Sequence, residues 1–552
     1  MRRILACFLF LIIMTSQLFA GEVYYVDATN GDDNNPGTSQ SSPWKTIAKV
    51  NSYSFDPGDT IQFKRGEVWR NQLLVTWSGT SGNPITFKDY GTGDKPVIMG
   101  SIKKTGWTNE SGNLWYTSNS YDPDAIIFVN TDDSMEWGDV KTSKGCLINE
   151  YDWWYDSGNT RIYCYAATDP DARYNSVEAT RSSPSRCFRL YSQKYIDIEN
   201  LIFKFARSDG CRTNGTSGSG HAEYINITNC ESYYNATHGF KASTDEGGDR
   251  VVAQHITYTN CIAHHNGYHG FQASNGSGDV NFIGCTAYNN GTDPKNRNWE
   301  GAGFRYGETL NGLMQNCESY GNFYGLRIAG WTYEVEGLTI ESCNIHDNTN
   351  RGIWILGGGG FTFDSIIIRR NKIHNNANRG LDNAKSLTNG EVYYNLIYEN
   401  VGGLYWQQCN SGGSSEIYNN VIANNTGTGF TVGSGVNVTV KNNIVYNNSN
   451  QINISSGTFD YNHWHPDVSF SQKGPNAITT NPKFISPGND NYKLQSDSPC
   501  IDAGTDVGLT KDYAGNTVPY GNGVDIGAYE YVSDNYLLTS ILMPPLLQEK
   551  SH

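Results

Sequence analysis

Eight residues share one position in a repeating pattern, two places after a recurring glycine: Lys241, Gln272, Arg305, Arg327, Trp354, Asp382, Tyr405 and Thr431. A solvated surface would show serine, threonine, asparagine and scattered charge there. This column begins with cations and ends with aromatics and one carboxylate. Cations of this kind bind carboxylates, and aromatic rings lie against sugar faces. The column therefore fits an acidic polysaccharide. Uronate polymers break by β-elimination when a base removes the proton beside the carboxylate and positive charge holds the enolate. A lysine or arginine serves as that base when neighbouring positive charge lowers its pKa.

The roles follow from these types. Lys241 is the base, and Arg305 and Arg327 clamp the substrate carboxylate. His238, His269 and Tyr324 flank the column and are candidates to protonate the leaving oxygen. Gln272, Tyr324, Trp354, Asp382, Tyr405 and Glu300 are read as substrate-binding. Asp245, Glu246 and Asp249 form an acidic loop after Lys241; they are candidate oxygen ligands for Ca²⁺, or a solvated acidic turn. A long insertion, 290–300, precedes Arg305, so two loops rim the cationic end.

Two other readings compete. A glycoside hydrolase needs paired carboxylates, for which Glu300, Glu308 and Asp382 are candidates, with Asp245 or Glu246 opposite. A non-catalytic carbohydrate-binding or adhesive protein would use a second column: Tyr233, His264, Tyr288, Tyr320, His346, His374 and Tyr398.

The elements that position these columns come from repeats. Cys230, Cys261, Cys285, Cys317, Cys343, Asn371, Asn395, Asn420 and Asn443 recur every 23 to 32 residues. Five places later stands an asparagine in every copy, from Asn235 to Asn448. Each unit holds short alternating strands separated by Asn and Gly, which tolerate left-handed bends. Such units bury a face only when stacked. The expected fold is all-β, a single-stranded right-handed parallel β-helix with rungs about 4.8 Å apart, carrying end caps and an inserted hairpin. The cysteines read as stacked thiols, without the clustering of a metal site.

Three segments carry a family resemblance. They are Tyr24-Tyr25-Val26-Asp27 with the Gly31–Thr38 loop and Pro43–Ile47, the repeat array, and the closing Ser498–Gly504 with Asp525–Glu530. The chain resembles the secreted parallel β-helix proteins of the pectate-lyase-like superfamily. That resemblance implies polysaccharide lyase or glycoside hydrolase activity. The segment His238-Gly239-Phe240-Lys241 is similar to the lysine-bearing strand of a calcium-dependent pectate lyase family, though the aspartate cluster of that family is not clearly matched.

The 552 residues carry a formal charge of −15 and 13% aromatic residues. The aromatic content argues against disorder, and the acidity argues against a nucleic-acid binder. Arg2 and Arg3 followed by an apolar run read as a signal peptide over residues 1–20. A secreted or periplasmic monomer without a membrane span is expected. The expected organisation is an N-terminal cap and first coils over 21–110, an inserted hairpin region over 111–180 around Trp153-Trp154-Tyr155 and Arg161–Tyr165, coils over 181–450, and a C-terminal cap and tail over 451–552.

Overall fold

In the computed structural model the described residues are 21–215, 220–244, 253–292, 295, 300–331, 333–358, 363–407 and 414–533. Three long parallel sheets of 14, 12 and 13 strands run the length of the molecule. Each coil contributes one short strand to each, as in Ala253–Thr259, Ile262–His264 and Phe271–Ser274. This is the parallel β-helix expected from the repeats.

The bends explain the repeat. Residues immediately before the ladder positions take left-handed backbone angles, among them Asn260 (φ 51), Asn316 (φ 54) and Arg370 (φ 55) before one ladder, and His265 (φ 50) and Asn375 (φ 53) before the other. Such a residue turns the chain sharply and leaves backbone groups unpaired. The asparagine that follows repairs this. Asn322 Nδ2 donates to the carbonyls of Ala287 and Tyr320 at 3.0 Å each and to Asn348 Oδ1 at 3.2 Å. The same link joins Asn235 to Asn266 and runs on to Asn448. The cysteine column is buried, its thiols free. At Cys343 it passes to asparagine: the Cys343 N–H donates to Asn371 Oδ1 at 2.9 Å.

Alternation along the strands fills the interior. Phe240, Phe271, Phe304, Leu326, Ile353, Leu381, Leu404 and Phe430, each following the recurring glycine, are fully buried. Phe240, Phe271 and Phe304 stack at 5.0 and 4.9 Å between ring centroids. The Tyr/His column also stacks, ring on ring, at 4.6 to 5.3 Å from Tyr233 to Tyr398. Its inner ring faces are thus covered by one another, which suits a packed surface ladder.

The insertion is larger than a hairpin. Strand Ser101–Lys104 pairs antiparallel with Ser176–Thr180, so the excursion closes on itself ten residues earlier than 111. It holds a four-stranded and a five-stranded sheet. The expected hairpin is there, with Trp153 opposite Cys164 and Asp156 opposite Arg161. Coils resume at Phe188–Tyr191, which pairs parallel with Leu73–Val75. They continue past residue 450 to His463–His465.

The terminal aspartates serve the caps. Asp33 accepts from the backbone of Lys45 and Thr46 at 2.9 and 3.0 Å. Thr46 in turn caps the helix Ile47–Ser52, whose Ile47 and Val50 are buried. Asp525 accepts from the Asp502 N–H at 2.7 Å. Among the described residues no helix is long and apolar enough to cross a membrane.

Candidate active site

The 12-stranded sheet sets the column in register. Lys241 pairs with Gln272, Gln272 with Arg305, and Arg305 with Arg327. Arg327 then pairs with Trp354, Trp354 with Asp382, Asp382 with Tyr405 and Tyr405 with Thr431. With apolar neighbours inside, all eight face outward on consecutive rungs.

The structure extends the column upstream. Arg212 pairs with Lys241, and Arg189 with Arg212. Gly210-Cys211-Arg212 obeys the same glycine rule one repeat earlier, a signal the sequence carried. Arg189 lacks the glycine, because Cys187 stands in that place.

A second column lies three residues before the first, where the chain enters each strand: Asp209, His238, His269, Ala302, Tyr324, Arg351 and Arg379, polar at every rung but Ala302. Asp209 was not foreseen and is central. It is 1% exposed. Its Oδ1 receives His238 Nδ1 at 2.8 Å and the Thr237 hydroxyl at 3.0 Å. Its Oδ2 pairs with Arg186 Nε and Arg212 Nη1, both at 3.1 Å. Burial opposes ionisation, but the His238 hydrogen bond and the fields of Lys241 and Arg212 outweigh it and hold the carboxyl well below its usual range.

This carboxylate stands among Arg186, Arg212 and Lys241 and leaves the strip cationic on a chain of charge −15. Burial pushes the Lys241 ammonium down to about 8. The field of Asp209 resists that shift; those of Arg212 and Arg305 add to it. Burial also lowers Arg305. Lysine can lose its proton near neutral pH under such conditions, while an arginine stays charged.

The histidines are held neutral. Burial and the Lys241 charge bring His238 to about 4. Burial and the Arg305 charge hold His269 well below its usual value. His269 Nδ1 accepts the Ala302 N–H at 2.9 Å, so its proton is on Nε2. His238 presents Nδ1–H to Asp209. Tyr324 donates to Glu300 Oε2 at 2.7 Å. Burial and that bond raise the Tyr324 hydroxyl, so it keeps its proton.

The downstream half differs. Asp382 Oδ2 takes Arg351 Nε at 2.6 Å and Arg379 Nη1 at 2.9 Å. Arg351 lies 4.5 Å from the Trp354 ring centre and Arg379 4.0 Å from that of Tyr405. Asp382 is thus committed to two guanidiniums. Polar atoms lacking a hydrogen-bond partner gather along this face: His238 Nε2, His269 Nε2, Gln272 Oε1, Arg305 Nε, Arg327 Nε, Trp354 Nε1, Asp382 Oδ1 and Thr431 Oγ1. Buried polar atoms are normally paired, so their concentration on this face, among the described residues, makes it the candidate site.

Asp245, Glu246 and Asp249 lie outside the described residues. Among the described residues no group of three or more His, Cys, Asp or Glu side chains is placed to hold a metal ion. His264 and His265 instead face each other through Nδ1 atoms 2.8 Å apart, with His264 Nε2 3.0 Å from Glu231.

Residues 213–388 and 331–463 match the family model described as right handed beta helix region. A stretch of 99 residues is 39% identical to a lacto-N-biosidase of Bifidobacterium longum subsp. longum, covering 16% of this chain and 6% of that protein. Another, of 73 residues, is 32% identical to alpha-1,3-galactosidase A of Akkermansia muciniphila, covering 13% of this chain and 12% of that protein. The chain thus spans a small part of these relatives. Among solved structures, XylC in complex with xylose superposes with a TM-score of 0.57 at 13% identity, over 92% of this chain and 98% of that one. Pectate lyase Pel9A superposes at 0.47 and 17% identity, over 94% and 98%. The fold is a right-handed parallel β-helix.

Proposed function

We propose that the chain is a carbohydrate-active enzyme that cleaves uronate-containing polysaccharide by β-elimination. The observation that carries this reading is Lys241, a lysine brought to about 8 in the middle of a cationic strip, while Asp382 on the same face is tied to two arginines. A base near working pH is available; a free pair of facing carboxylates is not found among the described residues of the column.

The polymer lies along the column, whose rung spacing of about 4.8 Å is comparable to one sugar residue. Arg305 and Arg327 hold the carboxylate of the reacting uronate and so acidify the adjacent C–H. Neutral Lys241 takes that proton, and negative charge spreads onto the carboxylate held by the arginines. The bond from the β-carbon to the glycosidic oxygen breaks as the carbon–carbon double bond forms. The leaving oxygen takes a proton, for which the Tyr324 hydroxyl or the His269 Nε2–H is the donor. The result is one unsaturated chain end and one hydroxyl end.

Hydrolysis is the second reading, favoured by the local match to a lacto-N-biosidase. It would draw on Glu300 and Glu308 and leave Lys241 dispensable. A panel of uronate and neutral polysaccharides, assayed for unsaturated products and for reducing ends, separates the two. Unsaturated product from a uronate polymer is expected; reducing ends without it overturn elimination. The panel is run with and without chelator. Loss of activity restored by Ca²⁺ would make the reaction calcium-dependent, with Asp245, Glu246 and Asp249 the candidates to substitute next; unchanged activity would remove the metal.

A further inference from the structure

The column changes character between two adjacent rungs, Arg327 and Trp354. Upstream, the unpartnered atoms are His238 Nε2, His269 Nε2 and Gln272 Oε1, which are neutral, and Arg305 Nε and Arg327 Nε, donors on charged groups that suit a carboxylate. Downstream they are Trp354 Nε1, Asp382 Oδ1 and Thr431 Oγ1: one neutral donor, one acceptor and one hydroxyl. That set matches sugar hydroxyls, which both donate and accept.

The downstream cations are partly neutralised. Arg351 and Arg379 share Asp382 Oδ2, at 2.6 and 2.9 Å. Each guanidinium also lies over a ring, of Trp354 or Tyr405. A uronate placed there would meet Asp382, whose charge offsets one of the two guanidiniums, so its carboxylate would be held less strongly than over Arg305 and Arg327. A neutral sugar would give that oxygen a hydroxyl hydrogen and lie against the exposed parts of the aromatic rings.

We infer that the polymer bound along this face is a heteropolysaccharide, with uronate over the rungs up to Arg327 and neutral sugar over those from Trp354 to Thr431. This rests on the proposed function for the uronate side and adds the neutral side. With one sugar per rung, the neutral stretch is about three to four residues long.

The test is calorimetric binding to the full chain carrying Lys241→Ala, which slows turnover, with each oligomer checked for cleavage after the titration. The probes are six-sugar oligomers: all uronate, all neutral, and mixed, the last in both orders of its two halves. One mixed oligomer is expected to bind about tenfold more tightly than the all-uronate one, or about 1.4 kcal/mol. Trp354→Ala added to the protein should erase that margin and leave all-uronate affinity within about twofold. Equal or tighter binding of the all-uronate oligomer overturns the inference, as does an equal loss for both oligomers in the Trp354→Ala protein. Thr431→Val carries the same comparison if Trp354→Ala does not fold. Absence of unsaturated product from wild-type protein would overturn elimination, while the order of affinities would still decide the neutral stretch.

Discussion

His238 Nδ1 stands 2.8 Å from Asp209 Oδ1 on the neighbouring coil, three residues before Lys241. One buried carboxylate therefore serves two ends: it orients a neutral histidine and restrains the shift of the lysine beside it. The chemistry of the face turns on this balance of one anion against several cations.

Lys241 works as a base only when deprotonated, so kcat/KM should rise as pH increases and level off above about 8. Lys241→Ala should lower kcat by about 10²- to 10⁴-fold, the usual reach of a positioned base. A pH–rate profile on wild type and variant checks both. Wild-type turnover in the variant would sink the assignment.

Asp209→Asn removes the charge that resists the Lys241 shift. The acid limb of the profile should move below pH 8. The variant should also be less stable by about 3–5 kcal/mol, because Arg186 and Arg212 lose a buried counterion. In the wild type the carboxyl is depressed, so its contribution is present above the unfolded value and lost as pH falls through the folded one. The gap in denaturant midpoint between wild type and variant should therefore close on acidification below about pH 4.

Arg305→Gln or Arg327→Gln should raise KM for a uronate polymer more than it lowers binding of a neutral one. The wild-type KM should rise with added salt, since partly exposed charges are screened. Each variant should show a shallower salt dependence. Initial rates over a salt series decide this, and equal slopes in wild type and variant would count against a carboxylate clamp.

Asn322→Ala removes donors to Ala287 and Tyr320 and an acceptor for Asn290, the first and last of these bonds buried and the second half-buried. Each orphaned group costs about 1–3 kcal/mol. Unfolding by denaturant, followed by circular dichroism, should begin at lower concentration, with little change in KM for material that remains folded.

The amino-acid sequence by itself determined the fold and the outward column from Lys241 to Thr431. Both depend on local rules: side chains alternate along a strand, and a left-handed residue followed by asparagine makes the same bend in every coil. A one-dimensional stack then places equal positions above one another. Arg212 obeyed the same rule and was legible in Gly210-Cys211-Arg212. Only the tertiary structure decided which charges are free. Asp382 looks like a candidate acid in sequence, yet Arg351, 31 residues earlier, holds it from the preceding coil. Asp209 belongs to none of the repeat positions read in the sequence, yet it is buried among Arg186, Arg212 and His238. Pairing energies and pKa values depend on distance and burial, and those are set by coil packing across two or three dozen residues of chain, beyond the reach of any local pattern.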